Sequence, residues 1–377
     1  MSLIFKLASR NLFQDRLRFV ATIIGIVFSI VLVTVQMGLF LSFERMVTTM
    51  IDHAPADLWI VPVGTKCFED PSLLDEHNRD QALSVRGVTE AIPVMIGFTA
   101  WTVPSGGTTP VFVIGSNTSA AGLHPWNLVE GNLDALSTTH AVAIDRTYFE
   151  RLGVAKIGDS TEIRDQKAQV MAITNGIRSF TTTPYVFASL DQAQAYMGTS
   201  PNKVSYFLVH VAPHTDIDGA RQQLLASLSK VEVLTPDEFR SRSRAFWLFG
   251  TGAGAALFAG ALLGAVVGTV IVAQTLYSST KDHLNEFATL RAIGSSSLYI
   301  HKVIICQALL SAVIGFSVAA SICVIIVKIT AETALPIVMT PELTLGLFLL
   351  TVVMCVSSAI FAIVKVMRID PITVFRQ

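Results

Sequence analysis

The stretch from Phe19 to Phe43, FVATIIGIVFSIVLVTVQMGLFLSF, carries no Asp, Glu, Lys or Arg over 25 residues. A bilayer has about 30 Å of hydrocarbon, which a helix crosses in about 20 residues, whereas buried helices of soluble proteins show apolar runs of about 10–14. The stretch therefore reads as a membrane span. Three more charge-free stretches follow: Ala245 to Thr280 with 36 residues, Val303 to Val327 with 25, and Leu343 to Val364 with 22. The first is too long for the apolar region of a signal peptide, and no small-x-small cleavage site ends it. It is read as an uncleaved anchor. Before it, residues 1–18 mix Leu3, Ile4, Leu7, Leu12 and Phe13 with Lys6, Arg10, Arg16 and Arg18. That pattern predicts an amphipathic helix lying in the membrane interface.

Composition agrees. Of 377 residues, 51% are hydrophobic and 15% charged, and mean hydropathy is +0.57. Soluble domains are roughly a quarter charged. Net charge is −1, without the basic excess of a nucleic-acid binder. Four spans leave both termini on one side. Ten Lys and Arg flank the spans on the terminal side, against six on the other. The positive-inside rule then predicts cytoplasmic termini, with Arg240, Arg242 and Arg244 pulling the opposite way.

The expected organisation is residues 1–18 interfacial helix, 19–43 first span, and 44–244 an extracytoplasmic α+β domain. Residues 245–280 form the second span, 281–302 a cytoplasmic loop, and 303–327 the third span. Residues 328–342 form a short outer loop, 343–364 the fourth span, and 365–377 the tail. The fold class is thus integral membrane α-helical, four spans, with a large α+β insertion between the first two. Within the insertion, strands are expected at Asp57–Val63, Ala141–Ile144, Thr161–Ile163, Ala168–Ile173 and Val204–Val211. A hairpin should join Phe98–Val103 to Pro110–Ile114 across Pro104-Ser105-Gly106-Gly107. Arg146 to Leu152 should be helical and stop at Gly153. Asp216 to Ser229 should be a helix, with Val231–Val233 closing a βαβ unit. Two subdomains are expected.

No catalytic constellation is legible. The chain lacks a Walker phosphate loop, a Gly-x-Ser-x-Gly elbow and a His-Glu-x-x-His motif. His210 and His214 are four apart, but Pro213 argues against a helix, so a solvated loop is preferred to a metal site. Cys67 stands alone in the insertion; Cys306, Cys323 and Cys355 lie in spans as apolar filler. The spans hold no carboxylates, which counts against an ion-relaying transporter.

The 36 residues of the second span would rise about 54 Å as one helix. With Arg240, Arg242 and Arg244 just before them, they suggest a helical stalk running into the bilayer. Gly260, Gly264 and Gly268 repeat every four residues and predict a close helix-packing seam, with a dimer axis as one place for it. In the following loop, Leu284, Phe287, Ala288 and Arg291 form a helical stripe that ends at Gly294. A short amphipathic helix here suits docking of a soluble partner; a solvated connector is the plain alternative.

An N-terminal helix, one span, a large insertion and three further spans resemble the FtsX/MacB-type (type VII) permeases of ABC systems. The stretch Asp282-His283-Leu284-Asn285-Glu286-Phe287-Ala288-Thr289-Leu290-Arg291-Ala292-Ile293-Gly294 resembles the coupling loop of the DevC branch. Val270 to Tyr277, Ala56-Asp57-Leu58-Trp59, Leu234 to Phe239, Ser179 to Thr183 and Ile369-Asp370-Pro371 add to the likeness. The resemblance implies a non-catalytic subunit of a bacterial inner membrane, with no cofactor of its own. A separate ABC ATPase would bind ATP and Mg and dock at Asp282, His283, Leu284, Glu286, Phe287, Thr289, Leu290, Arg291 and Gly294. It further implies a homodimer, a periplasmic membrane-fusion adaptor, a TolC-like outer-membrane duct, and mechanotransmission to the outer domain. The DevC likeness points to a membrane lipid or glycolipid cargo. Two alternatives stay open: an FtsX-like regulator of a cell-wall hydrolase, and a lipoprotein-releasing permease with a soluble carrier.

Overall fold

The computed structural model describes residues 3–70, 72–117, 121–282 and 296–367. The chain divides into two compact units. One comprises residues 1–41, 255–331 and 336–377, and the other 42–254 with 332–335.

The first unit holds the membrane helices. Helix α1 spans Leu3–Gln14 and α2 spans Arg16–Asp52. Asp15 separates them: its carboxylate accepts from the Arg18 backbone N–H at 3.3 Å and pairs with the Arg18 side chain at 3.0 Å. An acid at a helix start satisfies an orphan donor and favours the dipole. The first membrane helix accordingly starts at Arg16, three residues before the boundary expected at Phe19. Among the described residues, four helices are long and apolar enough to cross a membrane: Arg16–Asp52, Ala253–Lys281, Leu298–Thr330 and Pro341–Val364. Their shared core pairs large with small side chains, with Ile26, Ile30, Val272 and Leu276 against Ala308, Ala312, Ala319, Ala359 and Ala362. Small residues let helices approach closely where burial in lipid supplies no hydrophobic drive.

The second unit is built on a mixed sheet. Its elements in chain order are β1 (Leu58–Pro62), β2 (Leu74–Asp75), α3 (Asn78–Leu83), β3 (Val88–Thr102), β4 (Thr108–Ser116), β5 (Leu128–Gly131), β6 (Ala141–Asp145), α4 (Phe149–Leu152), β7 (Ser160–Ile163) and β8 (Gln166–Thr174). There follow β9 (Tyr185–Ser189), α5 (Leu190–Met197), β10 (Lys203–Val204), β11 (Tyr206–Val211), α6 (Ile217–Ser227), β12 (Val231–Leu234) and α7 (Pro236–Arg244). The membrane helices then complete the chain as α8 (Ala253–Asp282), α9 (Ser297–Thr330) and α10 (Pro341–Met367).

Among the described residues, ten strands join one sheet along the order β12-β1-β11-β3-β4-β9-β6-β8-β5, with β7 beside β3 and β8. Strands β11 and β12 both run antiparallel to β1, which lies between them. The connection through α6 is therefore a βαβ crossover split by β1. The expected hairpin forms: β3 and β4 pair from Val94↔Ser116 to Thr102↔Thr108, and the turn places Gly106 and Gly107 at φ +111 and +83.

Two expectations are corrected. The insertion does not divide into the two subdomains expected: it clusters as one unit around the ten-stranded sheet, with β2 and β10 forming a separate two-stranded pair. Strand β3 is 15 residues long; Val88–Val94 pairs with β11 and Val94–Thr102 with β4, so one strand knits both halves. Nor does the first membrane helix stop at Phe43. It runs to Asp52, because Met46, Val47, Met50 and Ile51 continue the helical spacing and are buried in the inserted domain. Glu44 and Arg45 are good helix formers and do not interrupt it.

Candidate functional site

The chain enters its second span through a broken helix. Helix α7 begins with a capping box: Thr235 accepts from the Glu238 N–H, and Glu238 accepts from the Thr235 N–H, with Pro236 at the first turn. Three arginines follow, and each faces a carboxylate. Arg240 donates to Asp52 at the end of α2 at 2.6 Å, and also pairs with Asp237. Arg242 pairs with Glu232 of β12 at 2.6 Å and donates to the Thr65 carbonyl at 3.1 Å. The Arg244 Nε lies 3.8 Å from Glu44 of α2. The hydrogen bond from Arg242 holds the Glu232 carboxyl below its ordinary range.

The continuous stalk expected from Arg240, Arg242 and Arg244 into the span does not form. Residues Ala245–Gly250 wind as a π-helix, closed by the Thr251 N–H to the Phe246 carbonyl at 2.9 Å. Gly252 then turns at φ +77, a conformation that side chains rarely adopt, and α8 starts afresh at Ala253. A π-turn of this kind commonly marks a functional position.

That π-turn presents Trp247 to a buried acid. Glu69 is 6% exposed. It accepts from the Trp247 Nε1–H at 3.0 Å and from the Tyr185 hydroxyl at 3.5 Å. Burial raises its pKa to about 7, although both hydrogen bonds oppose the rise. Burial, helped by the same carboxylate, pushes the Tyr185 hydroxyl well above its usual range. Cys67, beside it, is buried, and burial pushes its thiol up to about 12. A thiol held protonated is a poor nucleophile.

The segment Ser179 to Thr183 closes this cluster. Phe180 packs edge-on against Phe43 and Trp247, with ring centroids 5.0 and 4.6 Å apart, beside Met46 and Val47. Ser179 N–H donates to the Tyr148 hydroxyl at 3.1 Å. Arg151 donates to the Thr182 carbonyl at 2.6 Å, and Thr182 sits at φ +59. The matched segment thus serves to seat an aromatic ring on the π-turn. Sequence reading missed Glu69, Trp247 and Tyr185. They lie in three separate segments, and none carries a motif.

The glycine row in α8 packs inside one chain. A side chain on Gly260 would meet Gln36, on Gly264 Leu32 and Val33, and on Gly268 Ser29, all on α2. The Ser29 hydroxyl donates to the Gly264 carbonyl at 2.7 Å. The face of α8 that carries Gly260, Gly264 and Gly268 is thus packed by α2 of the same chain. Hydroxyls in the spans are largely spent on their own helices, as in Thr34 to the Ile30 carbonyl and Thr351 to the Leu347 carbonyl. The docking residues His283, Leu284, Glu286, Phe287, Thr289, Leu290, Arg291 and Gly294 lie outside the described residues, and Asp282 is described as the last residue of α8. His210 Nε2 lies 3.2 Å from the Ala121 carbonyl, while His214 sits at φ +66 in a turn.

Comparison with known proteins now fits this arrangement. Residues 19–227 match the MacB-like periplasmic core domain, and residues 246–371 match the FtsX-like permease C-terminal domain. The chain belongs to the FtsX/MacB-like permeases of type VII ABC transporters. The family fixes the coarse assignment: a multi-pass, non-catalytic membrane subunit that works with an ABC ATPase. Among solved structures, the periplasmic region of MacB from Actinobacillus actinomycetemcomitans is similar at 10% identity and TM-score 0.40, covering 51% of this chain and 94% of that one. The extracellular domain of the noncanonic ABC-type transporter YknZ from Gram-positive bacteria is similar at 17% identity and TM-score 0.35, covering 48% and 99%. No curated protein matches the chain.

Proposed function

We propose that this permease transmits ATP-driven motion from a cytoplasmic ATPase to its inserted domain, and so drives export of an amphiphilic lipid or glycolipid. The termini and the loop after α8 would face the cytoplasm, and the inserted domain the periplasm. Two copies would act together with a periplasmic adaptor and an outer-membrane duct, as the DevC resemblance implies. ATP and Mg would be held by the partner subunit.

The observation that carries this reading is the helix Arg16–Asp52. A single helix supplies Ile26 and Ile30 to the core of the membrane helices and Met50 and Ile51 to the core of the inserted domain. An uninterrupted helix transmits displacement along its axis, because its backbone hydrogen bonds are all internal. Support for cargo outside the bundle comes from the spans themselves. Several of their hydroxyls bond back to carbonyls one turn earlier, which reduces the polar lining left for a central solute path.

Co-purification tests the proposal. The tagged chain is extracted in mild detergent and its companions are identified. An ABC ATPase with a membrane-fusion adaptor, and glycolipid enriched over bulk lipid, is the expected result. An ATPase with a cell-wall hydrolase, or with a soluble lipoprotein carrier and no adaptor, would overturn the exporter reading in favour of those functions.

A further inference from the structure

Helix α1 and the start of the first membrane helix belong to one compact unit. Phe13 bridges the join at Asp15, with its ring edge-on to Phe19 of α2 at 5.0 Å between centroids. That contact holds the end of α1 beside the end of a span. One face of α1 is spent on packing: Ala8 and Asn11 are buried, and the helix lies against α9. The other face is open. Lys6, Arg10, Phe13 and Gln14 are exposed, and Ser9, Arg10, Phe13 and Gln14 line a surface depression of about 450 Å³.

The charge on this face is unbalanced. Asp15, the acid at the join, pairs with Arg18 at 3.0 Å. Lys6 and Arg10 have no carboxylate in ion-pair reach among the described residues. They stand one turn apart, where like charges disfavour the helix, so an anion between them relieves a repulsion. The Ser9 hydroxyl donates to the Lys6 carbonyl at 3.1 Å, which leaves its oxygen able to accept. The Gln14 amide has no hydrogen-bond partner among the described residues.

The apolar part of the lining continues into the span. Phe13 is 52% exposed, and Leu17, Val20, Ile24 and Phe28 of α2 are exposed at helical spacing. An exposed apolar stripe on a membrane helix is its lipid-facing side. Basic side chains at the head of such a stripe match the level where lipid phosphates lie above acyl chains.

We propose that this face of α1 binds an anionic phospholipid of the adjoining leaflet. Arg10 pairs with the phosphate and Lys6 adds a second positive charge. Ser9 and Gln14 hydrogen-bond the headgroup, and Phe13 lies against the first carbons of an acyl chain. The preference is for an anionic lipid because a zwitterionic headgroup would bring its own ammonium up to two unpaired cations. The site is independent of the exporter reading and stands whichever cargo the permease handles.

The test uses the full chain in nanodiscs of phosphatidylethanolamine and phosphatidylglycerol. Photoreactive benzoylphenylalanine replaces Phe13 or, for comparison, Val313, which is exposed midway along α9. Adducts in place of Val313 should follow the bulk lipid composition. Those in place of Phe13 should be enriched in phosphatidylglycerol by roughly tenfold. Arg10→Gln should cut that enrichment by roughly fivefold, and Arg10→Lys should preserve it. Adducts of bulk composition at Phe13, or no lipid adduct there, would overturn the proposal, as would enrichment unchanged in Arg10→Gln. Repeating the reaction on the complex purified from cells separates lipid from a protein partner: a protein adduct in place of the lipid would assign this face to subunit docking. Loss of the enrichment in millimolar inorganic phosphate, at constant ionic strength, would make it a small-anion site and the lipid assignment would fail.

Discussion

Glu69 is the residue whose chemistry is most at odds with its surroundings. Its carboxyl is buried and its pKa is raised to about 7 from an ordinary 4.5. The folded state therefore binds the proton more tightly than the unfolded state. Linkage then makes stability fall as pH rises from about 4.5 to about 7, by up to about 1.4 kcal/mol per pH unit, and level off above. All four tryptophans, Trp59, Trp101, Trp126 and Trp247, lie in the inserted domain, so their fluorescence reports its unfolding without the spans. Glu69→Gln should flatten that pH slope and raise stability at pH 8. An unchanged slope would mean that Glu69 stays ionised. Trp247→Phe removes a donor to the ionised form, so the pH midpoint of the slope should move upward. A downward shift would contradict the hydrogen bond.

Among the elements, packing and backbone geometry set the limits. Gly268 lies so close to α2 that a Cβ would stand 2.2 Å from the Ser29 hydroxyl. Gly268→Leu should separate α2 from α8 and destabilise the membrane helices by about 1–3 kcal/mol. Gly346→Leu, with nothing within 4 Å of its Cβ position, should be tolerated. Equal melting of the two variants in detergent would remove the seam from the account. Gly252 is a backbone case. At φ +77, Gly252→Ala should cost about 1–2 kcal/mol, whereas Gly250→Ala, whose Cβ would have ordinary contact with Phe246 at 3.5 Å, should cost less. A stable Gly252→Ala would show that the break before α8 is adjustable.

At the scale of the whole molecule, the proposed function depends on coupling to a partner that hydrolyses ATP. The contact proposed from the resemblance is at Glu286 and Arg291. Glu286→Lys or Arg291→Glu should lower permease-stimulated ATP hydrolysis by roughly tenfold, the equivalent of about 1.4 kcal/mol, with the tryptophan signal of the inserted domain unchanged. Full stimulation by both variants would move the docking site elsewhere.

The sequence by itself determined the membrane class, the number of spans and the size of the insertion. Long runs without charge can be satisfied in only one way, since a helix buries its own backbone polar groups and lipid supplies no others. The hairpin at Gly106-Gly107 and the helix stop at Gly153, with φ +67, were legible for a similar reason: the local backbone admits few residues there. The extension of α2 to Asp52 was half-legible, because Met46, Val47, Met50 and Ile51 keep helical spacing while the charges at Glu44 and Arg45 hide it. Only the tertiary structure decided the rest. The ten-stranded sheet depends on both edges of β3 being paired, one by its hairpin partner β4 and the other by β11, more than 100 positions away in the chain. The glycine row gained its partner from Ser29 and its neighbours on α2. The cluster of Glu69, Trp247, Tyr185 and Phe180 has no local pattern, since each member comes from a different segment and only burial makes the carboxyl unusual. Local sequence specifies what a backbone can adopt; which distant side chains share a buried volume is fixed by how the elements close-pack.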